Sequence, residues 1–86
     1  MVSQEIIDLK SFDEDTRFKL KTEAALILNA QRIMALSKEP SRFEKYIEDR
    51  LETIFRITGK TGSMCLVEDG NTILDYDGKT IKITFD

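Results

Sequence analysis

Apolar positions along this chain follow two different periods, and the changeover comes near residue 60. From Ser11 to about Ser37, and again from Arg42 to Thr58, they recur at helical spacing. From Ser63 onward they form short runs separated by Asp69-Gly70-Asn71 and Asp77-Gly78. Such Asp-Gly dipeptides supply the positive φ angles of tight hairpin turns.

Start and stop signals sharpen the helices. Ser11-Phe12-Asp13-Glu14 and Ser41-Arg42-Phe43-Glu44 both have the spacing of a capping box. Asp13, Glu14 and Asp15 crowd the end of the first helix where the macrodipole favours negative charge. Pro40 forces a break, and Gly59 is placed to end the second helix. The pattern predicts an α+β fold in which two N-terminal helices, about 12–37 and 42–58, pack on a C-terminal three-stranded antiparallel β-meander of strands 63–68, 71–76 and 79–85. Asp77-Gly78 is expected at the central positions of the second turn. Ile6, Ile7 and Leu9 suit either a short strand or a helical turn. With one proline, and all four glycines at or beyond residue 59, no linker interrupts the chain, so residues 1–86 read as a single domain.

The second helix carries a broad apolar stripe of Phe43, Tyr46, Ile47, Leu51, Ile54, Phe55 and Ile57. In the last strand Ile81, Ile83 and Phe85 alternate with Thr80, Lys82 and Thr84. Leu51, Ile54, Phe55, Ile81, Ile83 and Phe85 are therefore expected to share a core. The first helix is unusual because it has two apolar stripes. Leu20, Ala24, Ile27, Leu28, Ala30, Met34 and Ala35 make one; Phe18, Ala25, Leu26, Ile33 and Leu36 make the other. A helix apolar on two faces must be covered on both. The second stripe is the candidate interface, to be covered by another chain or by the second helix and the Ile6, Ile7 and Leu9 segment.

Composition narrows the chemistry. Thirteen basic against sixteen acidic residues give a net charge of −3, an unfavourable balance for a protein that neutralises phosphates. Arg42, Lys45, Arg56 and Lys60 gather on one side of the second helix as a candidate basic surface, but Asp49 and Glu52 interrupt them. The chain has no histidine, which excludes Ser-His and Cys-His arrangements. Cys65 is the only cysteine, so no internal disulfide forms; its place in Met64-Cys65-Leu66-Val67 suggests a buried small hydrophobe. One cysteine without histidine is a poor zinc site.

Gly59-Lys60-Thr61 ends like a phosphate-binding loop, but Ile54 stands where the first glycine belongs and the segment leaves a helix instead of opening one. An EF-hand alignment on Gly78 places Ile73 and Thr84 at ligand positions and fails. No catalytic residue, cofactor or metal is expected. No apolar run approaches the length of a membrane span, and the N-terminus lacks a signal-peptide pattern. The expectation is a cytoplasmic, non-enzymatic protein-binding module, an accessory or inhibitor protein that self-associates, most simply as a homodimer. Alternatives are an assembly subunit of a larger complex or a small nucleic-acid-binding regulator.

Overall fold

The computed structural model describes residues 4–84. In chain order it contains β1 (Glu5–Asp8), a 3-10 turn (Leu9–Ser11), α1 (Glu14–Leu36), α2 (Ser41–Thr58), β2 (Met64–Glu68), β3 (Asn71–Tyr76) and β4 (Ile81–Ile83). The sheet has four strands in the order β1-β2-β3-β4. β1 runs parallel to β2, while the β2–β3 and β3–β4 pairs are antiparallel.

This overturns the expected three-stranded antiparallel meander: the architecture is two helices on a four-stranded mixed sheet. The physical reason lies at the N-terminus, where Ile6 and Ile7 enter β1 and Leu9 follows in the 3-10 turn, so the segment is both strand and helical turn. Parallel pairing needs a long crossover, and the two helices together supply it.

Cross-strand register explains the core. Ile7 lies opposite Leu66, Leu66 opposite Leu74, and Leu74 opposite Ile83. Met64, Tyr76 and Ile81 form the next row. Buried against these rows are Leu20, Ala24, Ile27 and Ala30 of α1 with Ile47, Leu51 and Ile54 of α2. Fully burying one such large apolar side chain stabilises by roughly 1.5–3 kcal/mol. Of the expected shared core, Leu51 and Ile54 are buried, and Phe55, Ile81 and Ile83 are half-buried against them. Phe85 lies outside the described residues. Thr80, Lys82 and Thr84 are exposed, so β4 turns its isoleucines inward.

Cys65 departs from its expected burial. It is half-exposed, in a cross-strand row with Ile6, Asp75 and Lys82. The alternation that buries Met64 and Leu66 turns Cys65 to the opposite face.

Local details also differ from the motif reading. Asp13, not Ser11, caps α1, accepting the Thr16 amide at 2.8 Å. Ser11 is committed to the 3-10 turn, where its hydroxyl donates to the Asp8 carbonyl at 2.6 Å. α2 begins at Ser41 itself, behind Pro40, with no side-chain cap bond, so the second capping box does not form. Gly59 ends α2 at φ 73°, its amide donating to the Phe55 carbonyl at 2.9 Å. Asp69 and Gly70, at φ 54° and 78°, have the positive φ pair of a type I′ hairpin turn. In the β3–β4 hairpin the Asp77 amide donates to the Thr80 carbonyl. The central pair is therefore Gly78-Lys79, one residue later than expected. Asp77 instead flanks the turn and accepts from the Lys79 and Thr80 amides at 2.9 and 2.7 Å.

Candidate functional site

α1 packs on the sheet and on α2 through Leu20, Glu23, Ala24, Ile27 and Ala30, which places its second stripe on the outward side of the helical layer. Phe18 is 73% exposed, Ile33 45% and Leu36 89%. Ala25 is exposed and Leu26 half-buried. α2 borders this stripe at Leu26 and Ile33, and Phe18, Ala25 and Leu36 are exposed. With Tyr46 of α2, 40% exposed, the stripe holds four of the five exposed large apolar side chains among the described residues. The fifth, Ile6, is in β1.

Beside the stripe, a groove of about 430 Å³ runs between the helices. Leu26, Ala30 and Ile33 of α1 line it together with Phe43 and Tyr46 of α2, while Asn29 and Arg42 supply polar groups. The structure thus joins two residues of the predicted apolar interface, Leu26 and Ile33, with one of the predicted basic surface, Arg42.

Glu23, the one buried charged residue among those described, anchors the helix pair near Tyr46. Arg50 of α2 places Nη1 3.4 Å from both Glu23 carboxylate oxygens, and its guanidinium lies 5.5 Å from the Tyr46 ring centre. Sorting the helix into two apolar stripes leaves Glu23 as a mere spacer between them. A signal of its burial is nonetheless present: at 100° per residue, Glu23 falls between Ile27 and Ala30, inside the buried stripe.

The four basic candidates do not converge. Arg42 pairs with Glu39 at 3.8 Å, Lys45 with Asp49 at 3.6 Å and Lys60 with Glu5 at 3.8 Å. Arg56 borders a separate shallow hollow with Glu52 and Phe55. Acidic neighbours break the surface into local ion pairs, each worth little in water.

A second concavity of about 490 Å³ lies where α2 meets the β3–β4 hairpin, floored by Met34, Ile47 and Leu51. Gln31 crosses from α1 to donate to the Ile81 carbonyl of β4 at 3.0 Å. Elsewhere, three exposed carboxyls titrate below the usual carboxylate range. Hydrogen bonding from Thr16 lowers Asp13, a hydrogen bond and the charge of Lys10 lower Asp69, and the Thr80 and Lys79 amides lower Asp77. All three are anionic at neutral pH. Among the described residues no group of three His, Cys, Asp or Glu side chains is placed to hold a metal ion. No helix of these residues is long and apolar enough to cross a membrane. No protein-family model, curated protein or solved structure matches the chain.

Proposed function

We propose that this chain is a non-enzymatic, cytoplasmic protein-binding module, an accessory or inhibitor protein that acts by occupying a protein surface and that self-associates as a homodimer. One observation carries the reading: Ile33 and Leu36, one turn apart on α1, and Tyr46 of α2 are exposed at one end of the helical layer beside an apolar groove, and Phe18 is exposed farther along α1. A contiguous exposed apolar patch on a small domain marks a contact surface. As an assembly subunit, the chain would use the same face permanently.

The test is sedimentation velocity across the micromolar range for the wild type and the Ile33→Asp variant, with helical circular dichroism as the fold control. The expected result is a self-associating wild type and a folded, monomeric variant. A monomeric wild type whose Ile33→Asp variant unfolds would sink the reading, because Ile33 would then belong to the private core.

A further inference from the structure

We draw no further inference here: the strongest candidate, the outer edge of β1 at the margin of the sheet, where Ile6 is 73% exposed, carries nothing, since Glu5 and Asp8 are already engaged by Lys60 and the Lys10 amide and nothing in the structure shows what covers that edge.

Discussion

Arg50 reaches from α2 to Glu23 of α1 without satisfying it: Nη1 stands 3.4 Å from each carboxylate oxygen, and Oε2 has no hydrogen-bond partner. Glu23 is buried, whereas Arg50 keeps about a third of its side chain in water. The pair joins the helices but is imperfectly compensated. Removing only Arg50 leaves a buried carboxylate alone, so Arg50→Ala should lower stability by roughly 2–4 kcal/mol. Replacing both residues, Glu23→Leu with Arg50→Met, should be neutral or stabilising by about 1 kcal/mol. Urea unfolding of Arg50→Ala and of the double variant separates these outcomes. A double variant as weak as Arg50→Ala would show that the ion pair itself holds the helices.

The β3–β4 turn offers a cleaner test, because Gly78 has φ 102° and a methyl group added there would meet only the Ser63 hydroxyl oxygen, at 3.8 Å. Space is not limiting there; backbone conformation is. Gly78→Val should therefore cost about 1 kcal/mol or more through φ alone. Lys79→Gly, which introduces no forced positive φ, should cost less. Chemical denaturation of both variants checks the order.

Acid should weaken the fold through its exposed loops and caps. Asp13, Asp69 and Asp77 have folded pKa values below their unfolded values. Their contribution is complete above the unfolded carboxylate range near pH 4 and is lost as pH falls through the lowered values. Lys10, raised by its hydrogen bond to Asp69, behaves oppositely and loses its contribution only as pH rises through its folded value, above 10.5. The urea midpoint should be flat near neutrality and fall below about pH 4. Asp77→Ala should lower the neutral midpoint and shallow the acid slope, since the Lys79 and Thr80 amides lose their acceptor. An unchanged slope would remove Asp77 from the acid response.

Local signals were legible in the sequence; distant pairings were not. Gly59 marks the end of α2 because its left-handed cap is a local requirement, and Asp69-Gly70 marks a turn for the same reason. The two stripes of α1 follow from spacing alone; the structure buries Leu20, Ala24, Ile27 and Ala30 of the first and exposes Phe18, Ala25, Ile33 and Leu36 of the second, while Ala35 of the first is exposed and Leu26 of the second half-buried. β1 was illegible because its partner is β2, across both helices, so no turn residue announces the pairing. Ser11 misled because its box spacing is correct while the preceding 3-10 turn claims its hydroxyl. At the candidate site, periodicity exposed Leu26 and Ile33, but the groove needs Phe43 and Tyr46 from the other helix. On the second helix the interruption of the basic residues by Asp49 was legible, and Lys45 pairs with it at i,i+4, whereas Lys60 meets Glu5 of β1, a partner that no local spacing announces.

The fourth strand can be tested by two adjacent isoleucines. Ile7 is buried opposite Leu66, whereas Ile6 is 73% exposed opposite Cys65 on the other side of the sheet. If β1 pairs parallel to β2 in this register, Ile7→Ala opens a cavity in the core and should cost about 2–4 kcal/mol. Ile6→Thr keeps a β-branched residue in a strand and should change stability by less than about 0.5 kcal/mol. A slip of one residue would exchange the two results, since every side chain in the strand would change face. Equal, small effects would mean that the N-terminal segment adds little to the core and that the three antiparallel strands suffice. Equilibrium unfolding of both variants, with amide exchange protection at Ile7 as a readout of the ladder, decides among these outcomes.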